Sequence, residues 1–372
     1  MDFSDITSII CEFNPFHHGH KYLISKAKET HGTVVCVMSG NFVQRGEAAF
    51  ADKYYRAKAA VTCGADLVLS IPFPYSMTSA RDFASAGVHI VNSLDIKSLT
   101  FGAESDKKTL SPIASILCSG EADDYIAVNI ALSPNASYAK LRQKFIREKC
   151  GKEASDALDL PNNILALEYM SAIIKNGYRT EQEIIKRESS FMSSGEIRSR
   201  DDFCGLLPEE SAAVFKDAPL FDRENFSCFA IASLRNRTFE DNYYDSSSGL
   251  KDRILKYANV CDTLGELTDK CVSASFTRSK CRRAIMAMLF GIPADISKKP
   301  SYTQVLCANE KGREFLAYCR KHCSFPIITK PSSALDSAIA ADFEREADAE
   351  NTLRVFYSKH VPHPLKRTPE IL

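Results

Sequence analysis

The sequence predicts a doubly wound α/β domain followed by a mainly helical domain. Short apolar runs alternate with helical patterns up to about residue 200, and from about residue 207 the pattern is mostly helical, with no further strand–helix alternation. The length of 372 residues exceeds one typical domain, and a hydrophobic content of 45% supports sizeable cores. We therefore place the boundary near 200–207, with an α/β domain over 1–205 and a helical domain over 206–372.

The α/β domain begins with three buried strands. Ser8–Phe13, Val34–Met38 and Asp66–Ile71 are short runs dominated by aliphatic residues, which is typical of strands covered on both faces. Helices separate these strands. One begins over 21–28, where apolar residues share one side, and another covers 53–63 and ends at a glycine.

The same alternation continues through the rest of this domain. The expected elements are a helix over 79–93, a strand over 98–101, helical material over roughly 108–175, a strand over 183–187 and a helix over 193–200. Four of the predicted strands end in polar or glycine-containing segments, at 14–20, 39–46, 102–105 and 187–190. Because ligands gather at the carboxyl ends of parallel strands, these segments together predict a pocket.

Composition restricts the function classes. Lys and Arg number 47, as do Asp and Glu, so the net charge is zero and any contact with nucleic acid needs a local basic patch. The 13 cysteines include no C-x-x-C pair, Met1–Asp5 does not resemble the start of a signal peptide, and no apolar run approaches the ~20 residues of a membrane span. We expect a cytoplasmic protein with reduced thiols and no membrane partner.

The most informative segment is Asn14–His20, which holds three of the eight histidines. His17 and His20 lie three apart at the start of the first helix and therefore share one face of its first turn. A helix N-terminus favours anions, and Gly19 lets the backbone approach a phosphate, so the H-x-G-H pattern is typical of nucleotidyl transfer. Histidines that only cap the helix are the alternative. A metal site of His17, His18 and His20 is disfavoured because no further ligand lies at suitable spacing.

Two further segments supply candidate polar groups. Arg45, in the loop after the second strand, can clamp a carboxylate or phosphate, and Lys53 and Arg56 can face the same site. A solvated loop and an ordinary charged helix face are the alternative. A later helix opens with Asn162 and Asn163, either of which can cap it or hydrogen-bond a ribose or a base.

The last candidates are a helix start and a basic cluster. Ser193 and Glu196 fit a capping box, and the same helix start can bind phosphate with Arg198 supplying positive charge. A basic run at 278–283 precedes an apolar helix, and basic residues continue over 309–321. This run predicts contact with a phosphate backbone, and the solvated end of an amphipathic helix is the alternative. The residues concerned are Arg278, Lys280, Arg282 and Arg283.

Four segments also follow one another in the order of a known family. They are Phe13–His20, Val37–Glu47, Phe101–Ser105 and Pro161–Leu165, and segments at 275–280 and 330–333 extend the likeness over nearly the whole chain. On these motifs the sequence resembles the bacterial tRNA(Met) cytidine acetate ligase family, within the nucleotidyltransferase-like superfamily that carries the H-x-G-H motif. The resemblance implies a Rossmann-like nucleotidyltransferase domain followed by an α-rich domain that binds tRNA.

The resemblance implies a two-step reaction. Acetate and ATP form acetyl-adenylate with release of pyrophosphate, and the acetyl group then passes to N4 of the wobble cytidine of elongator tRNA(Met), with no DNA partner. His17 and His20 would stabilise charge on the α-phosphate. The implied ATP contacts are Ile10, Cys11, Glu12, Phe13, Asn14, Pro15, Phe16, His17, His18, Gly19, His20, Lys21, Tyr22, Leu23, Gly102, Asn162 and Arg187. To these we add Ser193 and Arg198 from the helix start described above, and Arg45 as the cation that holds acetate. We expect Mg²⁺ to arrive with ATP, because no acidic cluster marks a metal site of the protein.

Three departures from the family pattern and two alternatives remain. The stretch 188–192 is short, Gly195 stands where relatives have a hydroxyl, and Gln304 stands where relatives tend to have Arg, which would weaken a nucleic-acid contact. A small-metabolite nucleotidylyltransferase uses the same H-x-G-H geometry, but it has no need for a basic helical half. An RNA-binding protein with a decayed adenylating site is the other alternative, and the intact H-x-G-H motif opposes it.

Overall fold

The computed structural model of the protein describes residues 5–132, 138–188, 190–246, 249–297 and 299–372. Residues 1–4, 133–137 and 189, which fall in segments interpreted above, lie outside this range. The strands are β1 (Ile6–Cys11), β2 (Thr33–Ser39), β3 (Phe42–Val43), β4 (Glu47–Ala48), β5 (Leu67–Ile71), β6 (Ser98–Ala103), β7 (Glu181–Lys186), β8 (Thr303–Ala308), β9 (Ile327–Ile328) and β10 (Glu370–Ile371).

The described residues also form α-helices on both halves of the chain. They are α1 (His18–Thr30), α2 (Lys53–Thr62), α3 (Ala80–Ser93), α4 (Lys107–Cys118), α5 (Glu121–Leu132), α6 (Tyr138–Cys150), α7 (Lys152–Asp156), α8 (Pro161–Lys175), α9 (Ser194–Arg198), α10 (Glu209–Phe215), α11 (Arg223–Asn236), α12 (Leu250–Ala258), α13 (Leu264–Cys271), α14 (Arg278–Leu289), α15 (Glu310–His322) and α16 (Ala340–Leu353). None of these described helices combines the length and the apolar character that crossing a bilayer requires.

One mainly parallel sheet organises the molecule. Its strand order is β10-β8-β5-β2-β1-β6-β7, with β9 beside β8. From β1 the chain adds β2 and β5 on one side, and later β6 and β7 on the other. The carboxyl ends of β1 and β6 therefore flank the point where the strand order reverses, and ligands of open α/β sheets bind there. The predicted fold class and the strand–helix alternation of the first half are confirmed.

The C-terminal segment also contributes to this sheet, so the expectation of no further strand–helix alternation beyond about residue 207 is wrong. β8 pairs antiparallel with β5, and β10 pairs in parallel with β8. All six residues of β8 are buried. A short run without a solvent face has no strand periodicity, and in the sequence it resembles a buried piece of helix. The division of the chain into domains at 205/206 stays a prediction.

The first strand and the first helix differ from the prediction at their ends. β1 stops at Cys11, two residues early, because Phe13 adopts a positive φ of 46° that leaves the extended region. α1 starts at His18, ahead of the predicted 21–28, because His17 caps it. The loop between them is therefore short, and it brings the histidines directly to the carboxyl end of β1.

Candidate active site

His17 and His20 form a stacked pair at the start of α1. His17 is the N-cap residue, and its Nδ1 accepts a hydrogen bond of 3.1 Å from the Gly19 N–H. His20 Nδ1 in turn accepts one of 3.2 Å from the His17 N–H. The two rings stack with centroids 3.7 Å apart and planes inclined by 29°. The predicted shared face is confirmed, and so is the capping role that had been its alternative, so the two interpretations are compatible.

This capping fixes the form of both imidazoles. Because each Nδ1 accepts, the proton of a neutral ring lies on Nε2, which is left to donate. Burial, together with the nearby Arg187 and His18, lowers the pKa of His17 to about 4. The pKa of His20 lies well below its usual value, first through burial and then through His17 and Arg187. Near pH 7 the pair therefore presents two neutral Nε2–H donors.

Gly19 is needed for this arrangement. A Cβ at this position would lie 3.0 Å from Cε1 and 3.2 Å from Nδ1 of His17, and 3.4 Å from Cβ of Phe191. The first contact is closer than ordinary van der Waals packing allows. A side chain at Gly19 would therefore displace the His17 ring from the helix N-terminus, so glycine is the residue that this motif requires.

Some residues of the predicted ATP segment are buried in the core, and others are exposed to solvent. Ile10, Phe13 and Phe16 are buried at 6%, 1% and 0% exposure and pack into the core, as do the partly buried Cys11 and Leu23. Only the main chain of such residues is available to a ligand. Asn14 and Pro15 are also buried, and His18 is exposed.

Two predicted ATP contacts on α1 have protein partners. Lys21 Nζ lies 2.7 Å from Oε1 of Glu210 on α10. The Tyr22 ring packs against Phe191 with centroids 5.6 Å apart, and its hydroxyl donates to Glu188 over 3.4 Å. Both side chains hold α1 against neighbouring segments, and their contact with ATP stays a prediction.

Across the crevice, the end of β6 is tied to the start of α8. Asn162 Nδ2 donates to Glu104 Oε1 over 2.5 Å, and Glu104 Oε2 accepts the Asn163 N–H over 3.0 Å. Asn163 Oδ1 accepts the N–H groups of Glu104 and Ser105, both over 3.0 Å. The N-cap of α8 is Leu160, without a side-chain cap, so the alternative that an asparagine caps this helix is wrong. The carboxylate of Glu104 supplies that cap from the neighbouring loop.

The glycine at the end of β6 leaves space in front of the sheet. A Cβ on Gly102 would meet only the Ile185 carbonyl oxygen within 4 Å, at 3.9 Å. Arg187 follows β7 directly and donates its N–H to the Ala103 carbonyl over 2.9 Å. It lies near enough to lower the pKa of both histidines. Gly102 on β6, Arg187 after β7 and the histidine pair after β1 therefore lie at the carboxyl ends of three neighbouring strands.

A charged cluster borders the crevice on the β1 side. Glu12 Oε1 accepts the Gln44 N–H over 2.8 Å. Burial raises the pKa of Glu12, while the Gln44 N–H and the nearby Arg45, Arg56 and Arg198 oppose that shift. Arg198 donates through Nη1 to the carbonyl of Asn14. Arg45 itself is exposed, so it lies at the rim, where an incoming anion can reach it.

Two basic residues predicted beside Arg45 belong to the interior. Arg56 is fully buried and donates to the carbonyl oxygens of Ala51, Glu12, Ser39 and Gly40. Lys53 is 2% exposed, and its Nζ lies 2.7 Å from Glu350 and 3.2 Å from Glu346. The interpretation that both face the ligand is wrong, because each is already fully engaged by buried acceptors.

Helix α9 has the predicted capping box. Ser193 Oγ accepts the Glu196 N–H over 3.3 Å, and the Glu196 carboxylate accepts the Ser193 N–H over 2.7 Å. The Ser193 hydroxyl also donates to Glu196 over 2.7 Å. The Glu196 carboxylate is thus turned back onto the start of its own helix. A contact between Ser193 and ATP stays a prediction.

The basic run at the start of α14 lies against the loop that carries Arg45. Gly46 has φ of +76°, and a Cβ there would lie 2.5 Å from the Arg283 backbone nitrogen. Arg283 is 7% exposed and its Nε donates to Asp245 over 2.6 Å, so the prediction that it contacts tRNA needs correction. Arg278 is exposed and forms an ion pair with Asp269. Lys280 is partly exposed, and its Nζ lies 5.5 Å from the centroid of the Phe276 ring. Nη1 of Arg282 lies 3.5 Å from Oε2 of Glu47.

The interpretation of position 304 as a nucleic-acid contact is also wrong. It is 2% exposed, donates through Nε2 to the Tyr54 hydroxyl and accepts from Lys53 Nζ, both over 2.9 Å. A side chain buried in this way cannot touch nucleic acid, so its identity affects packing rather than RNA contact. Among the described residues, no group of three or more His, Cys, Asp or Glu is arranged to hold a metal ion.

The comparisons with known proteins agree with this geometry. A family model described as HIGH Nucleotidyl Transferase matches residues 4–367. The tRNA(Met) cytidine acetate ligase of Acetivibrio thermocellus is 32% identical over 89% of each chain, and that of Thermoanaerobacter sp. strain X514 is 34% identical over 88% of this chain and 89% of its own. The crystal structure of Thermotoga maritima TmcAL bound with alpha-thio ATP has a TM-score of 0.90, 26% identity and 99% coverage of both chains.

The fold and the site thus define a nucleotidyltransferase-like protein, with a histidine pair at the switch point of a Rossmann-like sheet. The chain belongs to the HIGH nucleotidyl transferase family and, within it, to the family of the tRNA(Met) cytidine acetate ligases. The sequence had singled out the histidines, Gly102 and Asn162, but it had missed Glu104. The position of Glu104 directly after a predicted strand was a usable signal, because a carboxylate at such a position can cap a helix that packs against the end of the strand.

Proposed function

We propose that this chain is an ATP-dependent ligase that activates acetate as acetyl-adenylate and acetylates N4 of the wobble cytidine of elongator tRNA(Met). The observation that carries the proposal is the stacked pair of His17 and His20, with both Nε2–H groups free to donate at the helix N-terminus beside β1. The likeness to ligases of this name over nearly the whole chain supports the choice of substrates.

In the first step, ATP lies with its phosphates at the N-terminus of α1. An acetate oxygen attacks the α-phosphorus, the bond to the bridging oxygen breaks, and pyrophosphate leaves with that electron pair. The histidines donate from Nε2 to the α-phosphate oxygens, which gain charge in the transition state. Neutral donors suit this position because they need no proton uptake when ATP binds. Arg45, at the exposed rim, holds acetate as its anion.

In the second step, the N4 amine of an extruded cytosine attacks the acetyl carbonyl carbon of acetyl-adenylate. The bond between the acetyl carbon and the phosphate oxygen breaks, AMP leaves, and the nitrogen loses a proton. The step depends mainly on placing the two reactants together. The exposed side of α14, with Arg278, Lys280 and Arg282, is proposed to bind the tRNA backbone. This helix lies next to the loop of Arg45, because Gly46 in that loop packs against the helix backbone.

Mg²⁺ is proposed to enter with ATP and to be held largely by the phosphate oxygens. The proposed place of action is the cytoplasm, where tRNA is modified. Neither proposal changes the roles of the residues above, because each of those roles is a hydrogen bond or a charge contact supplied by the chain itself.

The test is incubation of the purified protein with labelled acetate, ATP and elongator tRNA(Met), followed by nuclease digestion. We expect AMP and N4-acetylcytidine in equal amounts. AMP without modified cytidine would retain the adenylating site and reject the tRNA acceptor. If neither product forms, the ligase proposal is wrong, and a different acid or nucleotide must be sought.

A further inference from the structure

A second cavity contains none of the residues assigned above to the histidine crevice. Its volume is about 410 Å³, and it is enclosed by parts of α3, α4, α5, α6 and α8 and by the segment at residue 299. This volume falls in the range of sites that bind small molecules. The lining residues are Arg81, Asp82, Ser85, Leu117, Asp123, Arg142, Glu168, Ser171, Ala172, Lys175, Asn176 and Lys299.

The three carboxylates of this cavity already have partners. Glu168 accepts from Arg142 Nη1 over 2.9 Å, and Asp123 lies 3.4 Å from Arg81 Nη2. Asp82 accepts from the Tyr244 hydroxyl over 2.6 Å. Their negative charge is therefore compensated or hydrogen-bonded inside the protein, and it does not call for a bound cation.

Two donors in the same cavity are left without a partner. Ser171 is 7% exposed, and its hydroxyl has no hydrogen bond within the described part of the chain. Arg142 uses Nη1 for Glu168, while its buried Nε–H is likewise unpaired. Buried polar groups in folded proteins are nearly always satisfied, so two unmet donors in one cavity indicate a missing acceptor.

Two lysines add positive charge at the same place. Lys175 and Lys299 are exposed, and neither has a carboxylate partner among residues 5–132, 138–188, 190–246, 249–297 and 299–372. Lys299 Nζ lies over the Tyr178 ring, 6.0 Å from its centroid. This contact uses none of its N–H groups, so both ammonium groups keep donors for an anion in the cavity. Together with the two buried donors, they would match an anion with at least three acceptor oxygens.

We propose that this cavity binds a phosphate group, which accepts hydrogen bonds from Ser171 and Arg142 and is neutralised by Lys175 and Lys299. The phosphate group comes either from a free phosphate anion or from the backbone of a bound RNA. The proposal is independent of the histidine crevice and of the reaction assigned to it.

The test is calorimetric titration of the full chain with inorganic phosphate, with the histidine crevice saturated by α,β-methylene ATP. We expect one site, and we expect the double variant K175Q/K299Q to weaken binding by about tenfold or more, because two charge-assisted contacts are lost. S171A should weaken it by a smaller factor. The matched control is K216Q/K366Q, which removes two exposed lysines outside the cavity and should bind phosphate like the unaltered chain.

Repeating the titration with H17N separates the two proposals, since phosphate bound in the cavity does not depend on His17. If K175Q/K299Q also weakens tRNA binding and phosphate competes with tRNA, the ligand is a backbone phosphate. If tRNA binding is unchanged, the ligand is a free anion. Phosphate binding that is absent, or that is equal in K175Q/K299Q and in the control, would overturn the proposal.

Discussion

At the scale of single residues, the arrangement of the site follows from the hydrogen bonds that the two histidine Nδ1 atoms accept within the protein. His17 Nδ1 is used by the Gly19 N–H and His20 Nδ1 by the His17 N–H, so the helix itself selects the tautomer of both rings. Structural capping and the proposed binding of phosphate thus use opposite edges of the same imidazole. A substitution at His17 can separate these two roles.

We expect H17A and H17N to lower acetate-dependent AMP formation by about a hundredfold or more, because each removes a donor to the α-phosphate. Only H17A should also destabilise the protein, by about 1 kcal/mol, since asparagine is a good N-cap residue and alanine is not. Product assays and urea unfolding of both variants provide the check. Full activity in H17N would exclude the Nε2–H group from the chemistry.

At the scale of secondary-structure elements, the crevice depends on how loops are tied to helix ends. The β6 loop is fixed by Asn163, which is fully buried and uses both ends of its amide. Asn162, one position earlier, makes only the contact with Glu104 among the described residues. We therefore expect the two adjacent asparagines to have different roles, Asn163 in stability and Asn162 in binding ATP.

N163A should lower the free energy of unfolding by about 3 kcal/mol, because it leaves two backbone N–H groups without an acceptor. N162A should cost much less stability but should weaken ATP binding. Urea unfolding and ATP titration of the two variants form a matched pair. Equal losses of stability would show that the division of roles between these residues is wrong.

The basic helix α14 gives a similar contrast. R278E/K280E should weaken tRNA binding and reduce its salt slope by between about 1 and 2, without a loss of stability, because both side chains lie at the surface. R283A should instead destabilise the fold by about 3 kcal/mol, since it leaves Asp245 without its partner. Filter binding at several salt concentrations and thermal unfolding distinguish the two. An unchanged salt slope in R278E/K280E would make α14 a solvated face.

At the scale of the whole molecule, a buried ionic cluster joins the N-terminal and C-terminal segments. Lys53 on α2 contacts Glu346, 293 positions away, as well as Glu350, both on α16. Gln304 of β8 completes the cluster. Burial raises the pKa of Glu350 to about 7, partly offset by Lys53. The protein therefore has a carboxyl group whose ionisation in the folded state opposes stability.

Because the pKa of Glu350 is higher when folded than its usual value of 4.5, the folded state binds more protons between about pH 4.5 and 7. This group's contribution to stability thus falls as the pH rises through that window. E350Q should remove the decline, so its stability relative to the unaltered chain should increase from pH 4.5 to 7 and then level off. E344Q, on the exposed side of the same helix, is the control. A constant difference across the window would contradict the assignment.

The sequence by itself determined the fold class, the strands β1, β2, β5, β6 and β7, and the histidine pair. These follow from local patterns, since an apolar run, a cap and a three-residue spacing act over a few neighbouring positions. It could not determine which polar residues are buried. Arg56, Arg283 and Gln304 resemble surface residues in the sequence, and only the tertiary structure pairs them with Gly40, Asp245 and Tyr54. Only the tertiary structure also shows the place of β8 in the sheet and the unpaired donors of the second cavity. The physical reason is that burial depends on contacts between segments that are distant along the chain.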